Sequence, residues 1–99
     1  MESNANVPNN RPDAFYELTS DQQRILKKWV SLNLKPIKSF NNFHSSYKLK
    51  HIFEDSTEGF YISNGQFKGA MLACEFKVKD KSKINWHFNI SQKSNAFRN

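Results

Sequence analysis

The stretch that decides the fold is Ser63 to Ser91, SNGQFKGAMLACEFKVKDKSKINWHFNIS. Its first part has a helical period: Phe67, Ala70, Met71 and Cys74 lie at i, i+3, i+4 and i+7, one apolar stripe. Ser63 and Gln66 have capping-box spacing, which sets the start of that helix. Beyond Cys74 the period changes from 3.6 to 2. Phe76 and Val78 alternate with Lys77 and Lys79, Asp80 to Lys83 reads as a turn, and Trp86, Phe88 and Ile90 alternate with Asn85, His87 and Asn89. This alternation predicts a two-stranded hairpin with one apolar face, on which Trp86 packs against the preceding helix.

Upstream, Ser20 and Gln23 also have capping-box spacing, with Asp21 placed favourably for the helix dipole. A cap of this kind is worth about 1 kcal/mol. Ile25, Leu26, Trp29 and Val30 form an apolar stripe, and the helix should stop before Pro36. Lys35 to Phe40 supplies one short extended strand, and Asn41 and Asn42 a turn. Ser45 or Ser46 caps a second helix ending near Asp55, with Leu49, Ile52 and Phe53 inward and Lys48, Lys50 and His51 around the rim. Phe15, Tyr16 and Leu18 point toward the core, and Tyr61, between Phe60 and Ile62, reads as part of a half-buried strand. The predicted core is Ile25, Leu26, Trp29, Leu49, Ile52, Phe53, Phe67, Met71, Phe88 and Ile90. Met1 to Pro12 is Asn-rich and aperiodic and reads as a flexible tail that adds little to stability, and residues 92–99 read as a second tail. The expected class is therefore α+β: one domain over residues 13–91, three helices with a C-terminal two-stranded hairpin.

A chain of 99 residues builds one modest core. Basic and acidic residues balance through Leu34, so the whole formal charge of +6 lies from Lys35 onward, which favours an anionic partner. The longest apolar run, Ala70 to Cys74, cannot span a bilayer, and the first residues lack the pattern of a secretory signal. The single cysteine excludes an intrachain disulfide framework and favours a reducing, cytoplasmic setting.

The order helix, short strand, helix, helix, hairpin over Ser20 to Ser91 resembles the winged helix-turn-helix family. Gly59 to Leu72, GFYISNGQFKGAML, and Ile84 to Ser91, INWHFNIS, also look like small accessory proteins of phages and mobile elements of low-GC Gram-positive bacteria. The winged-helix resemblance implies that the third helix enters the major groove of double-stranded DNA, with Asn64, Gln66 and Lys68 near its reading end. It also implies that Lys77, Lys79, Lys81 and Lys83 on the wing touch phosphates. Gly65, Gly69 and Ala73, spaced four apart with Leu72 beside them, form a small-residue face that suits close approach of DNA, a partner helix or the protein's own first helix.

No reaction is named by any motif. His44, His51, Cys74 and His87 lack the short ligand pair of a zinc site. Cys74 lies on an apolar stripe, Glu54, Asp55 and Glu58 lack EF-hand spacing, and no phosphate-binding glycine loop is present. The expectation is a non-enzymatic protein without cofactor or metal, of one of two classes. One is a DNA-binding regulator or replication accessory of a phage or mobile element. The other is an inhibitor or adaptor acting on a host or defence protein or a nucleoprotein such as a CRISPR nuclease complex.

Overall fold

A computed structural model of the chain describes residues 8–98. Three α-helices form its frame: α1 over Ser20–Asn33, α2 over Ser46–Glu54 and α3 over Asn64–Ala73, with short 3-10 helices at Pro8–Asn10, Pro12–Glu17 and Asn95–Phe97. The cap of α1 falls one residue earlier than its sequence suggests. Thr19 accepts from the Gln22 amide at 3.1 Å while Gln22 Oε1 accepts from the Thr19 amide, and Gln23 donates to the Leu18 carbonyl instead. Ser45 caps α2, and Ser63 and Gln66 close the capping box expected for α3. At the other end of α3 the Phe76 amide reaches Met71 O and the Glu75 amide reaches Leu72 O, a Schellman closure with Glu75 at φ 68°.

The α+β expectation is overturned: among the described residues there is no β-strand and no sheet. Only two isolated antiparallel bridges occur, Pro36 with Ile90 and Val78 with Phe88. The reason lies in how residues 86–91 spend their backbone groups. Trp86 O accepts from Ser46 N, Phe88 O from Asn41 N, Asn89 O from Ile37 N, and Ser91 N donates to Lys35 O. Toward residues 77–79 there remain the pairs Lys79 N to His87 O and Asn89 N to Lys77 O, and the Lys77 amide turns to the Asn89 side chain at 2.7 Å. An Ile90 N to Phe88 O bond then bends the chain at Asn89. No ladder extends beyond one rung, and Lys35 to Phe40 likewise forms no strand.

The apolar parity that suggested a hairpin nevertheless marks the right side chains. Phe76, Trp86, Phe88 and Ile90 are buried, together with Leu26, Val30, Leu49, Phe53, Ile62, Phe67, Ala70 and Met71. Ile25, Trp29 and Ile52 pack at the margin of this core. Of the three residues expected to lead in from the N-terminal side, Phe15 is buried, Leu18 is half-buried and Tyr16 is exposed. Residues 8–12, expected to be part of a tail, pack along α3: a Cβ on Gly65 would strike the backbone of Asn10 and Arg11, and one on Gly69 would strike the Pro12 carbonyl and Phe15. Residues 1–7 of that expected tail lie outside the described residues. At the other end Ser94 is buried and bonds the Lys35 amide, so residues 92–98 are tied to the fold as well.

Candidate functional site

The helix expected to read DNA is the most enclosed of the three. Lys68 is fully buried; its Nζ donates to Asn10 O at 2.8 Å and Ile84 O at 2.9 Å and lies 4.5 Å from the centre of the Trp86 ring. Burial pushes its pKa down to about 8. Asn64 is buried as well, and Gln66 is held in the capping box. The face of Gly65 and Gly69 is covered by this chain's own residues 10–15, and Leu72 and Ala73 are half-buried against the core. The small residues therefore serve close packing of an N-terminal segment, and α3 offers neither a reading edge nor a free face for a partner helix.

Lys77, Lys79, Lys81 and Lys83, by contrast, are all exposed. They sit in KVKDKSK, where Asp80 is the sole acid. Asp80 Oδ1 accepts from the Ser82 hydroxyl at 2.7 Å and its amide at 3.0 Å, which shapes the turn and holds the carboxyl below its ordinary range. Trp86 Nε1 donates to Lys81 O at 3.3 Å and ties the loop to the core, and Lys79 Nζ reaches Asn42 Oδ1 at 2.8 Å. Among the described residues none of the four lysines is ion-paired. Beside them opens a cleft of about 570 Å³ whose lining includes Lys79, Lys83, Asp80 and His87, with Ile84 and Asn85.

A second cleft of about 440 Å³ is also lined by Ile84 and Asn85. Its sides carry Tyr47, 51% exposed on the first turn of α2, and Tyr61, 80% exposed just before α3. The Lys50 ammonium lies 5.3 Å from the centre of the Tyr47 ring and 5.1 Å from that of Tyr61. It is buried and paired to Glu54 Oε2 at 3.0 Å, an oxygen that also accepts from the Ile62 amide at 3.1 Å. Burial alone would raise the Glu54 carboxyl, but the Ile62 amide, Lys50 and His51 together hold it below its ordinary range. His51 Nδ1 lies 3.0 Å from Glu54 Oε1, and its ring meets Tyr47 edge to face, fixing one side of the cleft.

The floor of this cleft is made of amides. Asn64 Nδ2 lies within hydrogen-bond distance of Asn10 Oδ1, Ile84 O and Asn85 Oδ1, while the buried Asn64 Oδ1 has no donor. Asn64, expected near the reading end of α3, lines this cleft instead, and its neighbours there, Tyr47, Lys50, Asn10 and Asn85, were not among the expected site residues. Two signals were present: Glu54 stands four residues after Lys50, and the parity of Ile62 turns Tyr61 outward.

The cysteine and histidines do not assemble a centre. Among the described residues no three of His, Cys, Asp and Glu are grouped so as to hold a metal ion. Burial pushes the Cys74 thiol up, away from nucleophilic use. Among the described residues no helix is long and apolar enough to cross a membrane. Comparison with family models, curated proteins and solved structures finds no match to this chain.

Proposed function

We propose that this is a small nucleic-acid-binding protein that grips the phosphate backbone through Lys77, Lys79, Lys81 and Lys83. The observation that carries the reading is this loop: four exposed lysines with one acid among them, anchored by Trp86 and bordering an open cleft. Cations so placed attract a polyanion and release its counterions, whatever the base sequence. Groove reading by α3 has no part in this mechanism, since Asn64 and Lys68 are buried.

The test is oligonucleotide affinity measured against salt by fluorescence anisotropy. Each phosphate contact contributes about 0.9 to the slope of log affinity on log salt for duplex DNA and about 0.7 for single strands. Changing Lys81 and Lys83 together to Gln is expected to flatten the slope by about two contacts without altering the melting temperature, because both side chains are exposed. No binding by the parent at low salt, or an unchanged slope in the double variant, overturns the reading.

One observation favours a second reading, an adaptor or inhibitor docking on a host protein or nucleoprotein complex. Phe43 is 73% exposed beside Ile37 and Phe40, which are also exposed, an apolar patch at the surface. A chain that worked through that patch alone would show no oligonucleotide binding in low salt, so the same titration separates the readings.

A further inference from the structure

Of the two clefts that share Ile84 and Asn85, one is bordered by lysines and the other by tyrosines and amides. We infer that the tyrosine cleft receives an unpaired base, so that the nucleic acid bound is single-stranded. This rests on the backbone-binding reading above and specifies its ligand.

Three observations converge. First, two exposed aromatic rings flank one cleft, and each is held from behind. Ile62, next to Tyr61, is fully buried with its amide on Glu54, and Tyr47 packs against His51. Rings so presented are platforms on which any base stacks, as in proteins that bind single strands without sequence preference. Second, the floor is short of donors. Ile84 O has a second donor in Lys68 Nζ, but Asn10 Oδ1 and Asn85 Oδ1 have only the Asn64 Nδ2 they share, and Asn64 Oδ1, on a residue only 7% exposed, has none. Every base carries N–H or amino donors on its pairing edge, and in a duplex those donors are already committed to the opposite strand. Third, Ile84 and Asn85 line both clefts, so the exposed Lys79 and Lys83 border the cavity next to the one that holds the rings. DNA and RNA single strands share this chemistry.

The experiment compares oligo(dT), oligo(rU) and a duplex of equal length, about 15 nucleotides, in low salt. It uses the parent chain, Tyr61→Ala, Tyr61→Phe and the Lys81→Gln, Lys83→Gln double variant. The single strands are expected to bind more tightly than the duplex. Tyr61→Ala should weaken them about tenfold, the loss of one stacked base, and leave the duplex unchanged. Tyr61→Phe should retain the parent's affinity, and both substitutions should leave the melting curve in place, because the ring is 80% exposed. Tighter binding of oligo(dT) or of oligo(rU) with the same dependence on Tyr61 supports the inference and identifies the sugar. Equal affinity for duplex and single strands, no change in Tyr61→Ala, or an equal loss in Tyr61→Ala and Tyr61→Phe overturns it, while lysine-dependent binding of all three probes leaves the backbone reading standing. Failure of every probe to bind overturns both.

Discussion

Helices α2 and α3 each bury a lysine, and they handle the charge differently. In α2 the buried stripe is Ser46, Leu49, Lys50 and Phe53; in α3 it is Asn64, Phe67, Lys68 and Met71, with the lysine at the same place in the pattern. Lys50 meets the Glu54 carboxylate one turn on, and that carboxylate also fixes Ile62 and His51. Lys68 has two carbonyls and an aromatic face but no carboxylate within ion-pair distance among the described residues. Burying an ammonium without a counter-ion costs free energy, and the pKa of about 8 is where that cost is seen. The difference shows two ways to tie loops to helices: an ion pair that needs both members, and a donor that needs only its hydrogens.

The largest expected effect comes from breaking the ion pair. Glu54→Gln leaves the buried Lys50 uncompensated and should destabilise the fold by about 3 kcal/mol in urea unfolding. Replacing both, as Lys50→Met with Glu54→Leu, should recover much of that loss, since no buried charge then stands alone. Full destabilisation in the double variant would place the contribution of Glu54 in its bond to Ile62 rather than in the pair. Removing the other lysine should matter less. Lys68→Met discards an unpaired buried charge, and Ile84 O keeps the Asn64 amide, so one carbonyl, that of Asn10, loses its donor. A change of about 1 kcal/mol or less at neutral pH is expected. A loss as large as that of Glu54→Gln would show that Lys68 is as necessary to holding Asn10 and Ile84 on α3 as the ion pair is to α2.

How legible this was differs between levels. Capping at Ser63 and Gln66 and the buried parity of Phe76, Trp86, Phe88 and Ile90 follow from spacing alone, because local hydrogen bonds and side-chain direction set them. The sheet did not follow, since pairing is decided by which segment claims each backbone group. Here Ser46, Asn41, Ile37 and the Asn89 side chain claim those of residues 77–91 first. Spacing also counts every lysine as an outward residue, which is right for Lys48 and wrong for Lys50 and Lys68. The small-residue spacing of Gly65 and Gly69 correctly signalled close approach, but the approaching backbone is the segment whose Asn-rich, aperiodic composition suggested a tail. For the candidate site, the exposed lysine loop was readable from charge alternation. The tyrosine cleft was not, because Tyr47, Tyr61, Asn64 and Asn85 come together only through tertiary packing.

The sharpest expected effect is in the pH dependence of stability. In the unfolded chain Lys68 titrates near 10.5, and in the fold at about 8. Below pH 8 both states hold the proton and the full cost of the buried charge is present. Between 8 and 10.5 the folded protein releases the proton while the unfolded chain keeps it. The unfolded state then binds more protons, and stability attributable to this group rises with pH, by at most about 1.4 kcal/mol per pH unit. Above 10.5 both states are neutral and the contribution is level. A neutral amine still has two hydrogens for Asn10 O and Ile84 O, so the packing of residues 8–12 on α3 survives the loss of charge. Urea unfolding of the parent and Lys68→Met in steps from pH 7 to pH 10.5 isolates the group, because the two proteins differ at this residue alone. The difference between the two proteins should move in the parent's favour as pH rises. A difference that stays flat would mean that Lys68 keeps its charge in the fold, and that three hydrogens, two carbonyls and the Trp86 face suffice to hold it.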